Sequence, residues 1–384
     1  MRCRFPVKKF IELSLGKIRY LVYYVNKQRL IQNFPKIDRH LFALVETQRK
    51  VKKMTAAAAT PFQNPPVLTN SSGQIRKVGF ELELSGVDLP LIAETISDLF
   101  GGKVHPESPF SHKISGTEFG DFAVEVDAAL LKDRRYKEFL NSIGIELDAD
   151  DQEILEKFML DAAAIAVPFE IVFPPIPVTA LEKLRPLELA LKKMQAKGTR
   201  ASVLYAFGMQ FNPEIPCLDA QTILAYLRAF FVLFEWLRKE MNTDLSRRIL
   251  PFIDDFPDAY VRRVLTPEYA PNFQHLAREY ITFNPTRNRP LDLLPLFAHV
   301  DASTITSKIK ESHLVKPRPT FHYRLPDCRI DEPDWSMALE WNRWVKVEQL
   351  AGDPPTLTEL SKERLERKPG LPGWMERLVQ WVNP

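Results

Sequence analysis

The chain has 384 residues, 45% of them hydrophobic and 26% charged, which excludes wholesale disorder and allows one large domain or two smaller ones. Three scattered cysteines, Cys3, Cys217 and Cys328, exclude a disulfide framework and a Cys-rich zinc site, and they suit a reducing cytoplasm. The net charge of +3 is uneven: residues 1–53 carry fourteen Lys and Arg against Glu12, Asp38 and Glu46, a surplus of +11 that leaves −8 on the remainder.

In chain order, residues 1–54 read as a basic, partly amphipathic extension. Four readings stay open for it: an extension upstream of a start at Met54, a nucleic-acid or membrane-surface arm, a partner-binding helix, or a simple solvated helix. It has no signal-peptide cleavage pattern, and Lys17 and Arg19 interrupt its apolar part. Residues 55–75, rich in Pro, Asn, Ser and Gly, read as a flexible linker. The folded body is expected over 76–352, with a helical tail over 353–384.

The first strand is RKVGFELELSG, and the helix LPLIAETISDLF follows it, stopped by Gly101 and Gly102. A strand GDFAVEVDAAL, a helix over 148–166 and a short strand VPFEIVFPP come next. A helix over 179–197 is expected to be disturbed at Pro186. The strand SVLYAFGMQFNP leads into a long apolar helix over 218–242. Its run Ile223–Leu237 contains Arg228 and Glu235 and is shorter than the roughly 20 residues a bilayer needs, so a buried helix is expected. Short helices fill 257–313, and NPTRNRPLDLLP within them forms a loop and helix start. The strand RPTFHYRLPD precedes a Trp-rich helix over 334–350, whose Trp335, Trp341 and Trp344 read as core. The strands alternate polar and apolar residues, which favours an α+β fold with an antiparallel or mixed sheet covered on one face.

Four strands carry polar pairs at i and i+2, which project from one face of a strand. They are Glu81/Glu83, Glu125/Asp127, Gln210/Asn212 and His322/Arg324, and Glu170 adds a lone carboxylate. Taken singly, each pair is an ordinary solvated strand face; together they suggest a working surface. Converging carboxylates repel and need protons or cations, and an all-oxygen set suits Mg²⁺ shared with phosphate oxygens. Arg287, Arg289, Arg318 and Arg324 could supply positive charge to phosphate or carboxylate groups. The sequence has no GxxxxGK[ST] loop, no GxGxxG and no GxSxG, so any ATP is not held by a P-loop.

The order GFELE, VEVD, PFEIVFPP, AFGMQFNPE, NPTRNRPLDLLP and RPTFHYRLPD followed by a Trp-rich helix resembles the amidoligase family. That family groups with carboxylate–amine ligases related to glutamate–cysteine ligase and glutamine synthetase. The resemblance covers roughly residues 76–350. It implies a curved, mainly antiparallel, glutamine synthetase-like sheet with helices on the convex side and a polar concave face for Mg–ATP. It implies magnesium ligands at Glu81, Glu83, Asp127 and Glu170, and catalytic roles for Arg324, Glu83 and Asp127. Nucleotide or substrate contacts are expected at Arg287, Arg289, Gln210, Asn212 and His322. The sequence departs from the family pattern in having GMQFN where a histidine-bearing strand is frequent, and His322 where Glu precedes the arginine. The implied activity is an ATP- and Mg²⁺-dependent ligase that makes an amide from a carboxylate and an amine through an acyl phosphate. Its partners would be small-molecule or peptide acids and amines, with an amidotransferase-type enzyme as a candidate companion and neither membrane nor nucleic acid as a ligand. The alternatives are a non-catalytic nucleotide-binding relative and a metal-dependent hydrolase.

Overall fold

The computed structural model describes residues 60–108, 110–126, 169–199, 207–241, 254–303, 309, 312–366 and 373–383. The basic extension, Asp127, Tyr205 and the expected helix over 148–166 lie outside the described residues. The fold is α+β, built on an open, curved sheet in which every described strand pairing is antiparallel.

The strands are β1 (Lys77–Leu84), β2 (Lys103–Ser108), β3 (Ser111–Thr117), β4 (Gly120–Val126), β5 (Phe169–Val172), β6 (Ile176–Pro177), β7 (Met209–Pro213), β8 (Leu291–Asp292) and β9 (His322–Tyr323). They lie in the order β2-β3-β4-β5-β1-β7-β9-β8, with β6 pairing to the start of β1. β1 is therefore central. Its strict alternation appears as buried Val78, Phe80, Leu82 and Leu84 against half-buried Glu81 and Glu83.

The helices are α1 (Leu89–Phe100), α2 (Arg185–Lys193), α3 (Ala220–Met241), α4 (Asp258–Leu265), α5 (Phe273–Phe283), α6 (Leu294–Val300), α7 (Met337–Ala351), α8 (Pro354–Glu366) and α9 (Gly373–Val382). α1 ends at Gly101 (φ 75°) and Gly102 (φ 92°), left-handed backbone that side chains disfavour. The helix over 179–197 proves shorter, and Pro186 does not disturb it. A 3₁₀ turn over Leu181–Leu184 precedes α2, and Pro186 occupies its first turn, where a missing N–H costs nothing.

Two helices cover the apolar sheet face. Phe100 of α1 stacks on Phe122 of β4, with centroids 5.7 Å apart. On α7, Trp341 lies 6.4 Å from Phe80 and 6.0 Å from Phe211, and Trp344 lies 5.1 Å from Tyr323. Trp335, Trp341 and Trp344 are fully buried, as the core reading of this stripe expected. Ser336 starts α7 by accepting the Leu339 N–H. α3 packs behind α7. It is long and apolar enough to cross a membrane, but 61% of its most apolar window is buried in the fold. Its interrupting charges have structural duties: Arg228 donates to the carbonyls of Val264, Thr266 and Tyr269, and Glu235 pairs with Arg364 of α8.

The segment expected to be a linker is fastened from Thr60 onward. Trp341 Nε1 donates to Gln63 O (2.8 Å), Asn342 Nδ2 to Pro61 O (2.9 Å), Gln63 N to Asn342 Oδ1 (2.8 Å) and Arg185 to Thr60 O (2.7 Å). Residues 56–384 form one compact unit, so this strap belongs to the body. A chain beginning at Met54 is expected to unfold at the wild-type denaturant midpoint. One beginning at Ile75 loses the acceptors that satisfy Trp341 and Arg185, and should be destabilised by about 2–4 kcal/mol. Equal midpoints for the two chains would show that the strap contributes nothing.

Candidate functional site

The polar face is assembled by strand register. On one side Glu125 of β4 stands opposite Glu170 of β5, and Glu170 stands opposite Glu83 of β1. Three carboxylates thus follow one another across three adjacent strands. Directly opposed side chains have Cβ atoms only about 5 Å apart, where like charges are unfavourable and a shared cation is favoured. Asp127, one residue beyond the end of β4, lies outside the described residues.

On the other side Glu81 is opposite Gln210 of β7, and β9 and β8 bring in His322 and Asp292. Hydrogen bonds join the two sides. Glu83 accepts from the Gly208 N–H (2.7 Å, Oε2) and from Gln210 Nε2 (3.2 Å, Oε1). Because the Gln210 amide nitrogen must face that carboxylate, its oxygen faces His322 Nε2 at 2.7 Å, and the histidine donates there. His322 Nδ1 lies 3.7 Å from Asp292 Oδ2. Asp292 is fully buried; its Oδ1 accepts the Leu294 N–H, and its Oδ2 has no hydrogen-bond partner among the described residues. Sequence reasoning put Asp292 in a loop and helix start; the structure gives it a short strand paired to β9.

Glu81 has a different environment from Glu83. Burial alone would push its carboxyl up. The His322 ring 3.7 Å away, the Arg318 guanidinium at 3.9 Å and the Asn212 amide at 3.0 Å outweigh that and hold it at about 2. A depressed carboxyl stabilises the fold fully above its ordinary value of 4.5, and that contribution disappears as pH falls toward about 2. Acidification from about pH 5 to pH 2 should therefore remove up to about 3 kcal/mol in the wild type through this group. Urea midpoints measured across that range should fall less steeply in Glu81→Gln; parallel curves would refute the assignment.

The arginines separate. Arg289 is buried and donates to the carbonyls of Asp254, Asp255 and Phe283, with its guanidinium 5.7 Å from the Phe256 ring. Those contacts make it a clasp between loops. Arg324 donates to the Arg287 carbonyl at 3.4 Å, which links β9 to the loop before β8. Arg318 donates to Asn212 Oδ1 at 2.6 Å and so joins the Glu81 cluster directly.

Among the described residues no three His, Cys, Asp or Glu side chains are assembled to hold a metal ion. The donor chemistry still fits magnesium, which is usually held by one or two carboxylates with phosphate oxygens and water completing the shell. Gln210, Asn212 and His322 contact Glu81 and Glu83 in this structure, so they orient those carboxylates.

No curated protein and no solved structure gives a match to this chain. A family model described as "putative amidoligase enzyme" matches residues 74–346, well over half of the chain and the whole span from β1 to β9. The carboxylate row, the amide pair of β7 and the histidine–arginine strand all fall inside that match, and the chain belongs to this amidoligase family.

Proposed function

We propose that this chain is an ATP- and Mg²⁺-dependent ligase that joins a carboxylate to an amine, on a glutamine synthetase-like sheet. The observation that carries the reading is the register row Glu125–Glu170–Glu83 on a single sheet face of an amidoligase-family chain. Glu81, Glu83, Glu170 and, as the family resemblance implies, Asp127 would hold magnesium together with the ATP phosphates. Bound there, the ion would neutralise charge on the transferring phosphoryl group.

In the proposed reaction the substrate carboxylate oxygen attacks the γ-phosphorus of ATP and ADP leaves. The amine nitrogen then attacks the acyl carbon, the C–O bond to phosphate breaks, and the nitrogen loses a proton to give the amide. Arg324, with Arg287 beside it, would stabilise the phosphoryl oxygens and the developing oxyanion. Gln210, bonded to both Glu83 and His322, holds the Glu83 carboxylate in a single orientation. Its three scattered cysteines fit a reducing cytoplasm as the site of this proposed activity.

The test is amine-dependent release of ADP from Mg–ATP across a panel of acids and amines. A protein that neither binds Mg–ATP nor releases ADP with any of them is not a ligase. A second reading has an observation of its own: both oxygens of Glu83 already accept hydrogen bonds. It makes the chain a nucleotide-binding relative without turnover, and it predicts Mg–ATP binding with no ADP release under any combination.

A further inference from the structure

The sequence offers four arginines for an anion, and the fold treats them unequally. The Arg289 guanidinium is committed to three backbone carbonyls, and Arg324 reaches toward the Arg287 carbonyl. Arg318 is placed differently. Its backbone is pinned, because its N–H donates to the Pro295 carbonyl at 3.1 Å. Its side chain is 30% exposed and lies against the polar face between Asn212 and Glu81.

A guanidinium presents five N–H donors in a planar fork. Among the described residues, one of those of Arg318 has a hydrogen-bond acceptor, the Asn212 oxygen, and its Nε, like those of Arg289 and Arg324, is buried without any. What sets Arg318 apart is that its terminal nitrogens lie beside Asn212 and Glu81 and not on backbone carbonyls. Glu81, 3.9 Å away, is too far to accept from it. A buried guanidinium N–H without an acceptor costs free energy, and the fork geometry matches the two oxygens of a carboxylate or phosphate. Asn212 Oδ1 and Glu81 position the fork without saturating it.

We propose that Arg318 is a further oxyanion-binding residue of this face, taking two oxygens of a phosphate or carboxylate ligand through donors that have no acceptor among the described residues. The site places one cation, Arg318, beside Asn212 and Glu81, and the row Glu83, Glu170 and Glu125 forms the acidic end of the same face. The face is thereby divided: its acidic end suits a cation, and Arg318 suits an anion. Within the ligase reading, on which this extension rests, the anion is either a phosphate of ATP or the carboxylate of the acid substrate.

The experiment uses the full chain and calorimetric titration at low salt with three probes: inorganic pyrophosphate, succinate and Mg–ATP. Arg318→Ala and Arg318→Lys are compared with wild type and with Arg278→Ala, which removes an exposed arginine on α5. Arg318→Ala should weaken pyrophosphate or succinate by roughly tenfold or more, and Arg318→Lys, which keeps charge but loses the fork, should recover only part of it. Arg278→Ala should change neither. Loss confined to pyrophosphate and Mg–ATP assigns Arg318 to a nucleotide phosphate; loss confined to succinate assigns it to the acid substrate. The proposal is overturned if wild type binds neither small anion, or if Arg318→Ala binds both as wild type does with an unchanged melting temperature. If wild type binds a small anion through Arg318 yet does not bind Mg–ATP, the ligase reading fails and the anion site stands.

Discussion

Replacing Glu348 by alanine should lower the stability of this protein by about 3–5 kcal/mol, the largest single effect expected in the body of the fold. Arg76, just before β1, and Glu348 of α7 are both fully buried and joined by two hydrogen bonds of 2.8 Å. The pair is tied into its surroundings on every side. Glu348 also accepts from Trp344 Nε1 (2.8 Å) and Tyr226 OH (3.0 Å). Arg76 donates further to the carbonyls of Glu214 and Val67, both at 2.7 Å. Burial and the Glu348 charge push the Tyr226 hydroxyl well above its ordinary range, so it remains a donor. Five segments therefore meet at one ion pair: the strap, β1, the end of β7, α3 and α7.

Removing Glu348 strands a cation in a site that no solvent reaches, and it leaves the Trp344 and Tyr226 donors without their acceptor. That penalty, more than the worth of the pair itself, sets the size of the effect. The double replacement Arg76→Met with Glu348→Leu should therefore recover much of the loss. Guanidinium unfolding of wild type, Glu348→Ala, Glu348→Leu, Arg76→Met and the double variant gives the answer. A loss under about 1 kcal/mol for Glu348→Ala, or a double variant as unstable as the sum of the single ones, would show that the network has been misjudged.

The second large effect concerns function. Glu83→Gln should reduce Mg–ATP affinity and amine-dependent ADP release by about 100-fold or more, with little change in melting temperature. The substitution keeps an oxygen for the Gly208 N–H, which explains why the fold survives. It also puts an amide NH₂ against the Gln210 NH₂. Gln210 must then turn over, and turning over presents its nitrogen to His322 Nε2 in place of the oxygen that accepts there. One charge and one orienting chain are lost together. Calorimetry with Mg–ATP and an ADP-release assay read the two consequences separately. Unchanged binding with unchanged turnover would remove Glu83 from the site, and lost turnover with intact binding would assign it to the chemistry alone.

How much of this was legible in the residues depends on the element. The alternation GFELEL places Phe80, Leu82 and Leu84 inside and Glu81 and Glu83 on the other face whatever surrounds the strand, because successive side chains must point to opposite faces. The same logic serves β4 and β5, and helical spacing buries Trp341 and Trp344, while Trp335 is buried just before the helix begins. The hairpin β2–β3 escapes such reading. Lys103–Ser108 is an exposed edge strand with Pro106 in it, and Ser111–Thr117 has Ile114 as its one large apolar residue, so neither shows an alternation of large apolar groups. The two-residue strand β8 carries no pattern at all, whereas β9 lies within the expected strand RPTFHYRLPD.

By itself, then, the sequence determined the polar pairs, the faces they share within each strand, the core stripe and the family. Only the tertiary structure decided which pairs are neighbours. Glu83, Glu170 and Glu125 form a row because β5 inserts between β4 and β1, a register no local pattern encodes. Asp292 reaches His322 because β8 pairs with β9 across an intervening helix and loop. Arg289 and Arg318 are indistinguishable as residue types. The terminal nitrogens of one bond backbone carbonyls and those of the other lie at Asn212 and Glu81, because hydrogen bonds are settled by what the folded chain brings within 3.5 Å, not by spacing along it.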